Sequence, residues 1–155
     1  MSDLQIVDFA PEFAAAFERL NLEWLEKYFW VEDIDRVVLS NPQAEVIDRG
    51  GHILFARIDD DIVGTVALKH HRDGSFELTK MAVTVSRQGL GLGRALLVAA
   101  IGRFNEIGGK FLFLESHSSL ATAIRLYESA GFEHAPHPTG SDYERSDTYM
   151  VYRPH

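Results

Sequence analysis

The stretch that decides the fold is residues 76–108, FELTKMAVTVSRQGLGLGRALLVAAIGRFNEIG. It predicts a strand, a glycine-rich turn and a helix, because apolar residues in its second half recur at helical spacing. Gly89, Gly91 and Gly93 lie where the helix begins, so no side chain there keeps a ligand from the backbone. The first turn of a helix has unpaired N–H groups and the positive end of the helix dipole. The stretch therefore predicts an anion site, most naturally for phosphates.

The spacing of the glycines narrows the kind of phosphate ligand. A P-loop is excluded because Arg94 follows Gly93 where that motif requires a lysine. A dinucleotide fingerprint is excluded because Arg94 and Leu96 stand where its third glycine belongs. A tight turn without a ligand remains the alternative interpretation of the glycines alone.

Two segments resemble the signatures of the GNAT superfamily of acyl-CoA-dependent N-acyltransferases. Gln88-x-x-Gly91-x-Gly93, after a strand that ends in Met-Ala-Val, resembles the family's pyrophosphate-binding motif. Residues 123–132, AIRLYESAGF, closely resemble its second signature and follow in the family's order and separation. The resemblance implies the α/β (α+β) GNAT fold over one domain, residues 1–155. That fold has a mixed, mostly antiparallel twisted sheet of about six or seven strands flanked by about four helices.

The central strand contains an irregularity. Its large apolar residues change from even to odd positions: Phe76, Leu78, Met81, Val83 and Val85. An extra residue near Thr79-Lys80, a β-bulge, would bring both sets to the core. The alternative is a regular strand buried on both faces. GNAT proteins are similar in having a bulge here, which implies that this strand is splayed from the next and that the acyl-CoA arm enters the gap.

The remaining elements are predicted from periodicity and turn residues. They are a strand at Ile6, a helix from Pro11 to about Glu26, a helix from Glu32-Asp33 to Asn41-Pro42, a hairpin of residues 53–58 and 62–68, a strand at Lys110 to Leu114, a helix from Leu120 to Ala130 and a strand at Thr148 to Tyr152. Tyr143-Glu144-Arg145, before the last strand, is expected to close over the site.

Composition restricts the class of protein. The 155 residues, 46% of them hydrophobic, suffice for one domain with a real core. The absence of cysteine excludes disulfides and thiol nucleophiles. The formal net charge of -8 argues against a nucleic-acid partner and is compatible with a cationic amine substrate. No signal or membrane-spanning stretch is apparent, so we expect a cytoplasmic protein without a membrane partner. A homodimer is the common assembly.

The resemblance implies transfer of an acetyl group from acetyl-CoA to a small-molecule or peptide amine. Backbone N–H groups after the central strand would hold the pyrophosphate, and the strand's exposed edge would pair with the pantetheine arm and donate to the thioester carbonyl. The predicted cofactor-binding residues are Met81, Ala82, Val83, Gln88, Gly89, Leu90, Gly91, Leu92, Gly93, Arg94 and His117. His117 stands where many members have an asparagine, so it is also a candidate proton carrier.

Four further side chains are candidates for chemistry and substrate binding. Tyr127 matches the family's tyrosine, which protonates the leaving thiolate; the alternative is a tyrosine whose hydroxyl bond is structural. Glu77 is the candidate base for the attacking amine, and the alternative is a half-exposed glutamate at the start of a strand. Trp24 and Tyr28 either line the acceptor pocket or belong to the core. Lys80 is expected to extend from the bulge to solvent.

Two other functions remain open on the sequence. One is a non-catalytic acyl-CoA-binding module that senses or scaffolds, and a weaker one is a nicotinamide oxidoreductase. No metal site is predicted, because His70 and His71 would face opposite sides of a strand, and His134 and His137 lie in a loop without an obvious third ligand.

Overall fold

The computed structural model describes residues 3–138 and 146–154, so the predicted closing segment 143–145 lies outside the described residues. The helices are α1 (Ala14–Tyr28), α2 (Asp33–Ser40), α3 (Leu92–Glu106) and α4 (Ala121–Ser129), with short helical turns at Pro11–Phe13, Gln43–Ile47 and Val85–Arg87. The strands are β1 (Leu4–Asp8), β2 (His52–Ile58), β3 (Asp61–His70), β4 (Phe76–Val83), β5 (Leu112–Ser116), β6 (Phe132–His134) and β7 (Thr148–Tyr152).

The strands form one sheet in the order β1-β2-β3-β4-β5-β7-β6. Only β4 and β5 run parallel among the described strands, because α3 crosses over between them. The predicted fold class is therefore confirmed, a mixed and mostly antiparallel sheet flanked by four α-helices. None of the described helices combines the length and apolar character that a membrane crossing needs.

The predicted bulge lies in β4. Thr65 pairs with Ala82 and Ala67 with Thr79, so one residue of β3 lies opposite two of β4. Lys80, one of those two, has a φ of 56°, in the left-handed region that side chains rarely adopt. The bulge turns the odd-numbered apolar residues back to the core, as predicted, with one exception: Val85 lies beyond the end of β4 and is 46% exposed.

The strands β4 and β5 separate soon after they begin. Within the described residues they pair only at Phe76 with Leu112 and at Glu77 with Phe113. Residues 78–83 of β4 therefore do not pair with any described residue of β5. The predicted splayed strands are confirmed, and the gap between them is the feature that positions the site.

Each face of the sheet is covered by helices. On one face α3 and α4 pack against β2 to β5, and Leu96, Leu97 and Phe104 are among the buried residues. On the other face α1 and α2 pack against β2 and β3 through Phe17 and Val38. The amphipathic stripe predicted for α3 therefore faces the core.

Candidate active site

A cavity of about 650 Å³ occupies the gap between β4 and β5. Its walls come from those strands, the C-terminal half of α1, the start of α3 and α4. The predicted site residues that line it are Trp24, Tyr28, Glu77, Met81, Ala82, Val83, Gln88, Gly89, Gly91, Leu92, Gly93, His117 and Tyr127. Leu90 and Arg94 do not line it: Leu90 is 62% exposed, and the Arg94 side chain reaches the Ser129 hydroxyl.

The glycine-rich loop presents a run of unpaired backbone donors. Within the described residues, the N–H groups of residues 89–94 donate to no backbone carbonyl, and the first α3 bond to the loop is from Ala95 N to Gly91 O at 3.1 Å. Gly89 and Gly91 have φ values of 85° and 79°, which turn the chain into the helix. A Cβ at either glycine would meet no atom within 4 Å, so the space over the loop is open to a ligand. This arrangement suits a diphosphate.

A carboxylate from α1 anchors the other end of this loop. Glu23 Oε1 accepts hydrogen bonds from Val85 N at 2.8 Å and from the Thr84 hydroxyl at 3.2 Å. The Thr84 N–H in turn donates to Val63 O at 2.9 Å. The loop therefore starts from a fixed point between α1 and the sheet, which leaves its donors in place before a ligand arrives.

The Tyr127 hydroxyl lies at the cavity without a structural bond. The residue is buried at the end of α4, and burial raises the pKa of its hydroxyl to about 12. No hydrogen bond joins the hydroxyl to another described residue, yet every fully buried side-chain N or O among those residues has a partner. The hydroxyl is therefore reached from the cavity that Tyr127 lines.

Glu77 is a buried carboxylate rather than a half-exposed one. Its Oε1 lies 2.8 Å from His71 Nε2, and its side chain is only 6% exposed. The second oxygen, Oε2, has no described partner and is not fully buried, since no fully buried side-chain oxygen there lacks a partner. Because Glu77 lines the cavity, we infer that this oxygen faces it.

Aromatic rings form the wall contributed by the end of α1. Trp24 lies 5.4 Å from Tyr28 and 5.5 Å from Phe29, measured between ring centroids. Phe29 meets the His117 ring edge-on at 5.6 Å. Trp24 also packs against the core beneath α1. It therefore both lines the cavity and belongs to the edge of the core, the two alternatives that the sequence left open.

His117 is held by the turn between β5 and α4. Its Nδ1 accepts the Ser119 N–H at 3.1 Å, so Nε2 carries the proton of the neutral ring. Nε2 lies 3.6 Å from Asp147 Oδ2. Hydrogen bonds from the Ser118 hydroxyl, then from Thr148, lower the pKa of Asp147 to about 2, with a smaller contribution from His117.

Lys80 does not extend to solvent as expected. Its side chain is 5% exposed, and Nζ lies 2.7 Å from Asp35 Oδ1. The left-handed backbone of the bulge turns the side chain inward, across the face covered by α2. Asp35, whose side chain is fully buried, supplies the countercharge that makes this burial possible.

Sequence reasoning missed several residues of the site. Phe29 and Arg87 line the cavity, and their neighbours in sequence were the only signal for them. Three further residues do not line the cavity but hold residues of the site by hydrogen bonds: His71, Glu23 and Asp35. Glu23 and Asp35 are far along the chain from the residues that they hold. Over residues 3–138 and 146–154, no group of three or more His, Asp or Glu side chains could hold a metal ion.

The arrangement can be compared with known proteins. A mycothiol acetyltransferase from Sanguibacter keddieii is 36% identical over 91 residues, which cover 55% of this chain and 29% of that protein. The chain covers between 27% and 65% of the length of the curated relatives it matches. These partial matches show what the chain is similar to, over less than two thirds of each relative.

Solved structures agree over nearly the whole fold. A GNAT-family acetyltransferase from Staphylococcus aureus superposes with a TM-score of 0.85 at 18% identity, covering 96% of this chain and 98% of that one. A structure from Salmonella typhimurium that holds acetyl-CoA superposes with a TM-score of 0.73 at 21% identity, covering 98% and 94%. The profile of the Acetyltransferase (GNAT) family matches residues 8–132. The chain belongs to the GNAT acetyltransferase family.

Proposed function

We propose that residues 1–155 form one acetyltransferase domain that transfers an acetyl group from acetyl-CoA to a primary amine of a small molecule or peptide. Direct attack of the amine on the thioester requires no covalent enzyme intermediate, which suits a chain without cysteine. The observation that carries the proposal is the run of unpaired N–H groups at residues 89–94, beside the part of β4 that does not pair with β5.

The cofactor's shape fits this pair of features. A diphosphate carries the charge that the first turn of α3 favours, and Gly89 and Gly91 leave the space above it open. A pantetheine arm has two amide groups, which would hydrogen-bond to residues 81–83 as an added strand. An N–H group on this edge would also stabilise the negative charge that grows on the carbonyl oxygen, a contribution of about 3 kcal/mol for one donor.

Glu77 is our candidate for the base. A free alkylamine has a pKa of about 10 and is mostly protonated at neutral pH, so its proton must leave before attack. The Glu77 oxygen that faces the cavity can accept that proton, directly or through a water. The nearby Trp24 and Tyr28 rings suit the organic part of an acceptor amine.

Tyr127 is our candidate for the group that assists the leaving thiolate. Its hydroxyl has a pKa of about 12, so it keeps its proton at neutral pH and can donate a hydrogen bond to the sulfur. Complete transfer to a thiolate whose parent thiol has a pKa of roughly 8.5 is uphill by about 5 kcal/mol. Tyr127 therefore acts by stabilising the developing charge and keeps its own proton, and the CoA thiolate takes its proton from solvent water as it leaves.

The experiment is a screen of acceptors with release of the free CoA thiol as the signal. Amines, polyamines, aminoglycosides, amino acids and peptides are each offered with acetyl-CoA, and Glu77→Gln is run beside the unmodified protein. The proposal expects acetyl transfer to at least one amine and a large loss of that activity in Glu77→Gln. Tight CoA binding with no transfer to any amine would instead indicate the sensor or scaffold module. Binding of NAD in place of CoA would indicate an oxidoreductase.

A further inference from the structure

We propose that His71 is a positioning residue for Glu77: it holds Oε1 by a hydrogen bond so that Oε2 faces the acceptor amine. The inference rests on the proposed function and deepens it. It concerns which oxygen of Glu77 takes the proton and what keeps that oxygen in place, rather than the identity of the base.

The contact between the two side chains is short and largely shielded from water. His71 Nε2 and Glu77 Oε1 are 2.8 Å apart, with Glu77 6% and His71 35% exposed. A carboxylate can only accept, so Nε2 must carry a proton and donate it to this bond. A hydrogen bond to a charged acceptor is roughly twice as strong as one between neutral groups, so it can fix the orientation of the Glu77 carboxylate.

The turn that carries His71 is held by hydrogen bonds of its own, and the His71 ring packs against a neighbouring strand. Its backbone N–H donates to Ser75 O at 2.9 Å, and its carbonyl accepts the Gly74 N–H at 3.0 Å. Asp73 Oδ1 accepts both the backbone N–H and the hydroxyl of Ser75, which closes the same turn. The ring packs against Phe113 of β5 at 5.5 Å between centroids. The turn after β3 therefore aims the imidazole at the first residues of β4.

The position of Glu77 explains why it needs such a partner. It is one of the last β4 residues that pair with β5, opposite Phe113, at the point where the two strands begin to separate. Its side chain thus lies at the closed end of the gap, where the carboxylate has lost most of its water. A buried carboxylate without a donor is costly, and the bond from His71 satisfies one oxygen while the other remains for the substrate.

The test compares substitutions that keep or remove the donor. His71→Gln places an amide N–H where Nε2 lies, and His71→Leu removes it. His70→Leu is the matched control, because the neighbouring His70 bonds to Arg49 O and stacks on Phe76 outside the cavity. We expect His71→Leu to lower kcat on the order of 10-fold to 100-fold, as a misplaced catalytic group does, with the KM for acetyl-CoA unchanged. His71→Gln should recover most of the loss, and His70→Leu should keep normal kcat.

Coupling to Glu77 gives the second readout. In the Glu77→Gln background, His71→Leu should cause no further loss, because there is then no base to position. An equal loss in both backgrounds, or a normal kcat in His71→Leu, would overturn the proposal. Failure of His71→Gln to recover activity would also count against it, since the donor alone is then insufficient.

A third readout does not depend on turnover. Nitrogen-15 NMR of the unmodified protein should find a proton on His71 Nε2, and this signal should shift in Glu77→Gln. A ring protonated on Nδ1 alone would contradict the positioning role whatever the activity. If no amine is acetylated but the Nε2 proton is found, the proposed function fails while the hydrogen bond stands.

Discussion

Lys80 Nζ lies 2.7 Å from Asp35 Oδ1, and this buried ion pair joins the bulge of β4 to the first turn of α2. Asp35 Oδ2 also accepts the Glu32 N–H at 3.0 Å, so the same carboxylate closes the capping box of the helix. One side chain therefore fixes both the start of α2 and the strand edge that borders the cavity.

Substitution Asp35→Asn should destabilise the protein strongly, because it removes the carboxylate charge that the buried Lys80 ammonium contacts at 2.7 Å. Breaking a buried ion pair from one side costs about 3–5 kcal/mol, while an amide can still accept the Glu32 N–H. Unfolding in urea measures the change. Asp35→Asn with Lys80→Met should recover much of the loss, and a double variant no more stable than Asp35→Asn would contradict an origin of the loss in the Lys80 charge.

Substitution Tyr127→Phe should slow turnover while CoA binding stays normal. The hydroxyl forms no structural hydrogen bond with a described residue, so its removal takes away only its contribution to the leaving sulfur. We expect kcat to fall by about 100-fold or more, the usual loss when one hydrogen-bond donor to a developing negative charge is removed. Calorimetric titration with CoA supplies the control. Unchanged kcat would assign the hydroxyl no part in the reaction.

Substitution Gly91→Ala should weaken acetyl-CoA binding. Its φ of 79° is left-handed, and an alanine there costs about 1–2 kcal/mol of backbone strain. The added methyl group meets no protein atom within 4 Å, so this backbone strain, and not a clash within the protein, would displace the N–H groups of the loop. Gly102→Ala, within α3 and equally uncrowded, is the matched control and should bind acetyl-CoA normally. Equal affinities of the two variants for acetyl-CoA would contradict a role of the loop in binding.

Asp147 should make part of the stability depend on pH. Its pKa is lowered to about 2, first by the Ser118 hydroxyl and then by Thr148, from an unfolded value of about 3.9. A lowered pKa means that the contribution is complete above about pH 4 and is lost as the pH falls toward 2. The Tm difference between the unmodified protein and Asp147→Asn should therefore be present at pH 6 and become steadily smaller as the pH falls from 4 through 2. A difference of the same size at pH 6 and pH 2 would contradict this cause.

Much of the fold could be predicted because its signals are local. The change from even-numbered to odd-numbered apolar residues in β4 predicted the bulge. Two glycines, Gly91 and Gly108, indicated the start and the end of α3, and both have a positive φ. The strand β6, with only three residues at Phe132–His134, was missed because so short a segment has no measurable alternation. Val85 was wrongly assigned to the core because the end of a strand depends on tertiary contacts, here the bond to Glu23.

In the candidate site too, the features with a local sequence signal could be predicted and the others could not. The loop at residues 89–94 could be predicted from the spacing of its glycines, because the geometry of a turn depends on neighbouring residues in the sequence. The partners of Lys80 and Glu77 could not be predicted from the sequence, because the pairing of side chains depends on how distant elements pack. Asp35 lies 45 residues before Lys80, and nothing in either local sequence relates the two. His71 was assessed only as a metal ligand, and its bond to Glu77 emerges from the turn between β3 and β4.

The most direct measurement is a crystal structure of the protein with CoA bound. The account predicts the diphosphate within hydrogen-bonding distance of the N–H groups at residues 89–94 and the pantetheine arm along residues 81–83, between β4 and β5. Diphosphate density away from Gly91 and Gly93, or none at a saturating CoA concentration, would contradict it.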